Sequence, residues 1–246
     1  MDKATSVLAV IPARGDSKGI PRKNACIMAG RPLILYIVET AQKSRLIDDV
    51  ILSTDDEEIA QIAQSAGCEA LERPKRLCRD DVPLDPVIHH AVSFLEARQG
   101  TSYDIVITLQ PTCPLISPET LDTAIRKFRE SGADTMLSAV DDRHLAWTKR
   151  GDRFVPLYEA RLNRQYLPLR FRETGGFVIA NRNCVTDETR FGQRIELFEV
   201  NAVEAVDVDS YLDWWIAEKL LAIDLNSGRG KALDFIIKEI KAQQGS

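Results

Sequence analysis

The sequence has few of the residues that build metal, redox or nucleophile–histidine sites. It contains three histidines and five cysteines in 246 residues, and no two cysteines form a C-x-x-C pair. Zinc and dithiol redox sites normally need such closely spaced ligands, so neither is expected. No nucleophile–histidine–carboxylate set can be identified either, since His89 and His90 lie in one predicted helix without partners. The odd number of cysteines fits reduced thiols in a cytoplasmic protein; they are Cys26, Cys68, Cys78, Cys113 and Cys184.

Long apolar runs and an excess of positive charge are also missing. No segment approaches the roughly 18 apolar residues of a membrane span, and the first apolar run, at 7–11, is too short for a signal peptide. The formal net charge of −5 argues against general nucleic-acid binding, which usually needs a basic surface. We therefore expect a cytoplasmic protein without a membrane or nucleic-acid partner, in which local clusters of positive charge are informative.

The apolar residues that are present alternate between two periods along the chain. Short continuous runs, typical of strands buried on both faces, occur at 7–11, 49–55, 68–72, 104–110 and 134–140. Helical spacing separates them at 32–44, 55–67, 86–100 and 117–132. This alternation with short connections predicts an α/β fold. We expect a single domain over 1–246 that has a Rossmann-like, mainly parallel sheet with helices on both faces.

The alternation stops between residues 141 and 173. This stretch is rich in arginine and aromatic residues and has no clean period, which predicts an arm or small hairpin outside the sheet. Strands are expected to resume at 176–182 and 195–201. Two helices should then close the chain, so no second catalytic domain is expected after Leu220.

The first predicted strand runs into a loop with clustered positive charge, within VIPARGDSKGIPRKN at 10–24. The loop matches neither the G-x-G-x-x-G nor the G-x-x-x-x-G-K-[ST] phosphate signature. Gly15 and Gly19 still permit a nest of inward-pointing backbone N–H groups, and Arg14, Lys18 and Lys23 can supply charge-assisted hydrogen bonds. Ligands of such sheets bind beyond the carboxyl ends of the strands, so a polyanion site is favoured over a merely solvated basic loop.

Two closely spaced aspartates lie in EAVDVDSYLDW at 204–214. Asp207 and Asp209 flank Val208, so an extended backbone directs both carboxylates to one face. Oxygen ligands of this kind suit a hard cation such as Mg²⁺ that also contacts substrate phosphates. The alternative is that Asp209 or Ser210 only caps the following helix, and both interpretations can hold together.

Two further loops follow predicted strands. LQPTCPLISPET at 109–120 places Gln110 at the end of a buried strand, where its amide can bind a hydroxyl or carboxylate; a plain turn before a capped helix is the alternative. ERPKRLCRDD at 72–81 carries Arg73, Arg76 and Arg79, which form either a nucleotide-facing loop or an ordinary charged surface. We expect the loops that follow the strands at 7–11, 49–55 and 104–110 to converge at one edge of the sheet.

Together these segments resemble the acylneuraminate cytidylyltransferase (CMP-sialic acid synthetase) family. The resemblance rests on IPARGDSKGIPRKN, LSTDDEEIAQIA, the ERP and DD pair, LQPTCPL and VDVDSYLD, which span about residues 7 to 220 in the family's order. It implies the nucleotide-diphospho-sugar transferase type of α/β fold and a CTP triphosphate bound at the first loop. The manno-octulosonate (KDO) cytidylyltransferases are similar, but their first loop and acidic mid-chain motif differ.

The resemblance also implies roles for individual residues. Those that match nucleotide-binding positions are Ala13, Arg14, Gly15, Lys18, Lys23, Asn24 and Arg73. Asp207 and Asp209 match a pair that would hold Mg²⁺ or Mn²⁺, and with Arg14 and Lys23 they are the expected catalytic residues. Those that match sugar-binding positions are Gln110, Arg164, Gln165, Phe171 and Arg172. The arm at 141–173 matches a segment that contacts a partner subunit, so a homodimer is expected.

The implied reaction joins CTP to a small acidic sugar. The anomeric hydroxyl of a 2-keto-3-deoxy sugar acid attacks the α-phosphorus, CMP-sugar forms and pyrophosphate leaves. The chain departs from the family at Asp16, Cys113, Thr174 and Gly176, and these changes are expected to affect the sugar pocket more than the nucleotide site and to leave the CTP assignment intact. Two alternatives stay open: a different sugar or base on the same scaffold, or a nucleotide-binding regulator without catalysis.

Overall fold

The computed structural model describes residues 5–227 and 230–244. Residues 1–4, 228–229 and 245–246 lie outside the described residues, and the last two of these ranges belong to the predicted C-terminal tail. The strands are β1 (Val7–Pro12), β2 (Ile27–Met28), β3 (Arg31–Pro32), β4 (Asp49–Thr54), β5 (Glu69–Glu72), β6 (Ile105–Leu109), β7 (Thr135–Asp141), β8 (Trp147–Arg150), β9 (Arg153–Pro156), β10 (Phe171–Asn181) and β11 (Ile195–Glu199). The α-helices are α1 (Leu33–Lys43), α2 (Glu57–Ser65), α3 (Asp85–Gln99), α4 (Pro118–Ser131), α5 (Tyr211–Ser227) and α6 (Ala232–Gln244).

Seven of these strands form one sheet in the order β11-β7-β10-β6-β1-β4-β5. β10 pairs antiparallel with β6 and β7, and the other neighbouring pairs in this sheet are parallel. The predicted α/β fold with a mainly parallel sheet is therefore confirmed. The carboxyl ends of β1, β4, β6 and β7 lie at one edge, and β10 begins at that edge because it runs in the opposite direction.

Apolar side chains bury both faces of the sheet. Ile11 on one face packs in a cluster with residues of α1, α2 and α4, including Ile125. Val10 on the other face packs with Ile88 and other residues of α3. Successive strand residues point to opposite faces, so a sheet covered by helices on both sides needs continuous apolar strands. The apolar runs in the sequence thus reflect a two-sided core.

Capping side chains fix the helices that begin near the edge formed by the carboxyl ends of the strands. The Ser117 hydroxyl accepts a hydrogen bond from the Thr120 N–H at 3.2 Å and caps α4, as predicted. The Asp56 carboxylate accepts one from the Ile59 N–H at 3.0 Å and caps α2. Such caps satisfy backbone donors that have no partner within the helix. They hold α2 and α4 beside the loops that follow β4 and β6.

The segment that was predicted to leave the sheet contains the two-stranded hairpin of β8 and β9. Trp147 packs edge-on against Tyr158, with ring centroids 5.7 Å apart. β10 begins at Phe171, which pairs with Asp141 of β7, so the irregular segment is three residues shorter than the predicted 141–173 at its C-terminal end. We call residues 142–170 the arm.

Among the residues that the structure describes, no helix is both long enough and apolar enough to cross a membrane.

Candidate active site

A cavity of about 320 Å³ lies at the edge where the parallel strands end. It is lined by Pro12, Arg14, Ser17, Lys18, Gly19, Lys23, Asn24, Arg73, Leu84, Gln110, Pro111, Thr112 and Asp209. These residues come from the loops after β1, β5 and β6 and from the segment before α5. The loops after β1 and β6 therefore converge at this edge, as the sequence predicted. The third loop that lines the cavity follows β5, whereas the loop after β4 was expected there.

The backbone of the first loop differs from the predicted anion nest. The Ala13 N–H donates to the Ser53 carbonyl at 2.9 Å, and the Gly15 N–H donates to the Asp55 carboxylate at 3.0 Å. Both amides therefore already have partners within the protein. A Cβ on Gly15 would lie 2.6 Å from Asp56 Oδ2, so this glycine is needed for close packing against the cap of α2. In this structure the Gly15 amide thus faces a carboxylate of the protein itself, and its binding of a ligand anion stays a prediction.

Two exposed cations of the first loop share one carboxylate. Arg14 Nη1 lies 2.7 Å from Asp80 Oδ1, and Lys18 Nζ lies 3.1 Å from Asp80 Oδ2. Hydrogen bonds from Lys18 and then Arg14 lower the pKa of Asp80, which keeps it ionised. Arg22 points elsewhere and pairs with Asp56 and Glu58 of the α2 end. The phosphate-binding cations predicted from the sequence are thus held together by an anion of the protein itself.

Lys23 joins the first loop to the segment that carries the two aspartates. Its side chain is only 10% exposed, and its Nζ donates to the Val208 carbonyl and lies 3.2 Å from Asp209 Oδ1. Gly19 packs against the same segment, where an added Cβ would overlap the Asp209 carbonyl oxygen. The predicted phosphate loop and the predicted metal loop are therefore one interlocked unit.

The two aspartates differ in environment. Asp209 is exposed at the cavity. Burial raises the pKa of Asp207, against a hydrogen bond with Thr112 that lowers it, and the charge of Asp209 raises it further. Asp207 Oδ1 is buried and has no hydrogen-bond partner among the described residues. An unpartnered buried carboxylate oxygen is costly, and a cation would satisfy it. No group of three or more candidate ligands occurs among the described residues, so an ion held here would need further oxygens from a substrate, as Mg²⁺ commonly does.

Asn24 and Arg73 support the cavity from its buried side. Asn24 Nδ2 donates to the Arg14 carbonyl at 3.0 Å, while its Oδ1 is buried without a partner in the described part of the chain. Arg73 Nη2 donates to the Ser53 carbonyl at 2.8 Å, and burial lowers the pKa of this guanidinium. Of the three arginines in its loop, Arg73 lines the cavity and Arg79 pairs with Asp81 at the surface. The sequence had left this loop undecided.

Gln110 reaches the cavity from the end of β6, and its backbone N–H donates to the Gly176 carbonyl at 3.3 Å. The other four residues predicted to bind the sugar do not line this cavity in the described chain; they are Arg164, Gln165, Phe171 and Arg172. All four are exposed, on the arm or at the start of β10. One chain therefore brings together Gln110 and five of the seven predicted nucleotide residues, without Ala13 and Gly15, and it does not bring in the rest of the predicted sugar pocket.

The family departures near Gln110 lie behind the cavity. Cys113 Sγ donates to the Thr174 carbonyl at 3.2 Å, and Thr174 Oγ1 bonds Ser138 Oγ at 2.8 Å. A Cβ on Gly176 would point at Ile116 and Ser138 in the interior. Burial raises the pKa of the Cys113 thiol, which keeps it protonated. Cys113 and Thr174 are buried, so any effect of these changes on a sugar pocket would act through the packing behind the cavity, and the expectation that they alter that pocket stays a prediction.

Sequence reasoning missed Asp80 as a contact of the first loop. It stands in the ERPKRLCRDD segment, for which a nucleotide-facing loop and an ordinary charged surface were both left open, so the segment was considered but the residue was not. His89 and His90 lie on α3, and no metal-binding group of side chains includes them in the described part of the chain.

Comparisons with known proteins identify a family and relatives of this chain. The cytidylyltransferase family model matches residues 8–148. The chain is 30% identical over 227 residues to N-acylneuraminate cytidylyltransferase A of Danio rerio, covering 88% of this chain and 51% of that protein. It is 28% identical over 230 residues to the CMP-N,N'-diacetyllegionaminic acid synthase of Legionella pneumophila, covering 89% and 97%.

The chain spans about half the length of the first of these relatives. Its fold is similar to that of a CMP:2-keto-3-deoxy-manno-octonic acid synthetase solved in complex with CTP, with a TM-score of 0.67, 19% identity, and coverage of 89% of this chain and 100% of that chain. At that identity the likeness shows the fold alone. The family model covers more than half of the sequence and includes both the first loop and β6, which Gln110 follows directly. This chain therefore belongs to the cytidylyltransferase family.

Proposed function

We propose that this chain transfers a cytidylyl group from CTP to a 2-keto-3-deoxy sugar acid of the nonulosonic type, releasing pyrophosphate. The observation that carries the proposal is the single cavity lined by Arg14, Lys18, Lys23, Arg73 and Asp209. Four cations around one cavity on a chain of net charge −5 suit a ligand with several negative charges. The names of the Danio and Legionella relatives support the cytidylyl group and the class of sugar.

The residues of the first loop act on the triphosphate. Arg14 and Lys18 hold the Asp80 carboxylate in this structure, and phosphate oxygens of CTP would replace it. Lys23, fixed by the Val208 carbonyl, would keep one cation at a set position while charge builds on the departing pyrophosphate. Positioning and charge neutralisation of this kind supply most of the catalysis in phosphoryl transfer.

Asp207 and Asp209 would hold Mg²⁺ or Mn²⁺, which supplies polarisation of the phosphate and a lower pKa for the attacking hydroxyl. The unpartnered Asp207 Oδ1 supports this assignment. In the transfer itself, a bond forms between the anomeric oxygen and the α-phosphorus as the bond to the bridging oxygen of pyrophosphate breaks. The hydroxyl proton leaves with solvent or a base, and the cavity offers no histidine for that role among its lining residues.

The sugar would contact Gln110 and residues of a second copy of the chain. Arg164, Gln165, Phe171 and Arg172 are exposed in one chain, which supports a homodimer in which the arm of one subunit completes the pocket of the other. Exposed apolar side chains on the arm, including Phe154 at 71% exposure, support the same assembly. We propose that the enzyme acts in the cytoplasm and that its reaction is one step of glycan biosynthesis.

The experiment is pyrophosphate release from CTP and Mg²⁺ with a panel of nonulosonic acids and 3-deoxy-octulosonate, with UTP and GTP in parallel. We expect release with CTP and one nine-carbon acid, and loss of that release in Asp209→Ala. Release with UTP or GTP instead would assign a different base. Binding of CTP without pyrophosphate release with any acid of the panel would contradict the proposed transferase activity and favour a nucleotide-binding regulator without catalysis.

A further inference from the structure

β10 is interrupted where it passes the candidate site. Its pairing with β7 changes register between Glu173 and Val178, which marks a bulge. Gly175 lies inside this bulge with φ of +72°, a left-handed conformation that side-chain-bearing residues rarely adopt. Bulges of this kind commonly redirect a strand next to a functional site.

Gly175 lies between two side chains of the proposed site. A Cβ on this residue would be 3.0 Å from Asp207 Oδ2 and 3.5 Å from Gln110 Nε2. The Gln110 backbone is tied to the same turn through its N–H bond to the Gly176 carbonyl at 3.3 Å. The bulge therefore lies against both the carboxylate proposed to hold the cation and the amide proposed to contact the sugar, and a methyl group at this position fits only if Asp207 shifts.

Hydrogen bonds in the interior hold the bulge in this place. Thr174 is 1% exposed, and its Oγ1 bonds Ser138 Oγ at 2.8 Å. Ser138 Oγ in turn accepts the Phe177 N–H at 3.0 Å, and Cys113 Sγ donates to the Thr174 carbonyl at 3.2 Å. Because the backbone on both sides of Gly175 is anchored, a side chain added there would displace Asp207 more readily than the bulge.

We infer that Gly175 is a positioning residue whose missing side chain sets the place of the Asp207 carboxylate beside Gln110. The inference rests on the proposed function, in which Asp207 holds a cation and Gln110 contacts the sugar. Gly175→Ala would push Asp207 Oδ2 away. The 3.0 Å approach requires Asp207 to give by a few tenths of an ångström. Since misplacement of catalytic groups by about 1 Å can cost on the order of 10²-fold, we expect this smaller shift to lower kcat/KM by about tenfold.

Gly100 provides a matched control. It has φ of +68°, a Cβ there would meet nothing within 4 Å, and it ends α3 away from the cavity. Gly100→Ala therefore adds the same backbone strain without a clash near Asp207. We expect both variants to lower the melting temperature by similar amounts, while kcat/KM falls only in Gly175→Ala.

A second measurement separates positioning from general destabilisation. CTP is titrated calorimetrically without sugar acid, once without metal and once with Mg²⁺. We expect Gly175→Ala to bind CTP like wild type without metal, because the triphosphate cations lie in other loops, and to lose about tenfold or more of the affinity gained with Mg²⁺. Equal Mg²⁺ dependence in Gly175→Ala and Gly100→Ala would overturn the inference.

Thr174 provides a second pair of variants in case Gly175→Ala does not fold. Thr174→Val removes the hydroxyl that holds the bulge, whereas Thr174→Ser keeps it. We expect a severalfold loss of the Mg²⁺-dependent affinity in Thr174→Val alone, and equal behaviour of the two variants would contradict the proposal. If wild type shows no sugar turnover, the proposed function fails, and the CTP and Mg²⁺ titrations still decide the role of Gly175.

Discussion

The floor of the cavity and the arm are built in opposite ways. We call Lys23, Arg73, Gln110 and Asp209, which line the cavity, the floor. Lys23 and Arg73 are basic residues, yet each is less than 10% exposed as a whole residue and donates to a backbone carbonyl. On the arm, Phe154 and Leu169 are each 71% exposed. Basic side chains are thus buried at the cavity, whereas apolar side chains are exposed on the arm. The contacts of the floor are therefore complete within one chain, and those of the arm are not.

Removing the buried cation of the floor should have the largest effect. Lys23→Met leaves the Val208 carbonyl and Asp209 without their donor, so we expect a 10²- to 10³-fold loss of rate, on the order of one preorganised contact. Stability should fall by about 1–3 kcal/mol, because a buried acceptor loses its partner. Lys18→Met is the control, since Lys18 is 75% exposed. Pyrophosphate release and thermal melting are the measurements, and equal losses in the two variants would contradict a special role for burial.

Mixing two inactive variants tests whether floor and arm of different chains make one site. Arg172→Ala removes an arm-side residue and Asp209→Ala a floor residue. In a symmetric dimer whose arms cross, half of the mixed assemblies carry one intact site, so about a quarter of wild-type activity should return. The measurement is activity after subunit exchange at equal concentrations. If no activity returns although exchange has occurred, each chain forms its sugar site alone.

Asp80, on a surface loop, pairs with Arg14 and Lys18 next to the floor. Removing its carboxylate should strengthen CTP binding, whereas the preceding variants are expected to lose activity. Asp80→Asn frees Arg14 and Lys18, so we expect the KM for CTP to fall about two- to fivefold, with a smaller effect at high salt. Asp81→Asn is the control, because Asp81 pairs with Arg79 instead. An unchanged KM in Asp80→Asn would show that these ion pairs do not compete with the triphosphate.

The sign of the pH dependence follows from the same ion pairs. Pairing lowers the pKa of Asp80, so the carboxylate is charged at neutral pH and competes with CTP there. That competition is lost as the pH falls through the lowered pKa. The difference between wild type and Asp80→Asn should therefore persist through the neutral range and close only in acid.

The smallest effect on the isolated chain is expected on the arm. Phe154→Ser changes an exposed side chain, so the fold should lose no more than about 0.5 kcal/mol, while the proposed dimer should dissociate at higher concentration. Phe94→Ser, on an exposed face of α3 outside the arm, is the control. Sedimentation velocity over a concentration series gives the comparison. If the two variants dissociate at the same concentration, the arm is not part of the dimer interface.

The sequence was informative where local pattern and strand order decide the structure. The buried strands, the Ser117 cap and the meeting of loops at one edge all follow from short-range rules and from the geometry of parallel sheets. Contacts between distant segments were not accessible. The Arg14 to Asp80 pair joins residues 66 apart in sequence, and Lys23 and Asp209 are 186 apart. No periodicity reports such a pair.

The surroundings of Gly15 and Thr174 were not accessible for a related reason. Gly15 was expected to help form a nest for a ligand anion, whereas its amide donates to the Asp55 carboxylate and its lack of a side chain serves packing against Asp56. The sequence did not show that Thr174, one of the departures from the family, is buried. Which face of a bulged strand a residue occupies depends on the register shift, and a one-residue shift reverses the faces.

The reversed direction of β10 has a consequence for how the protein can be altered. The chain leaves the sheet at Asp141 and returns at Phe171, and these two residues are direct partners in adjacent antiparallel strands. The entry and exit points of the arm are thus already placed as in the two ends of a hairpin. We therefore expect that a short turn, or the arm of a relative that uses another sugar, can join the same two residues while the pairing of β7 with β10 is kept.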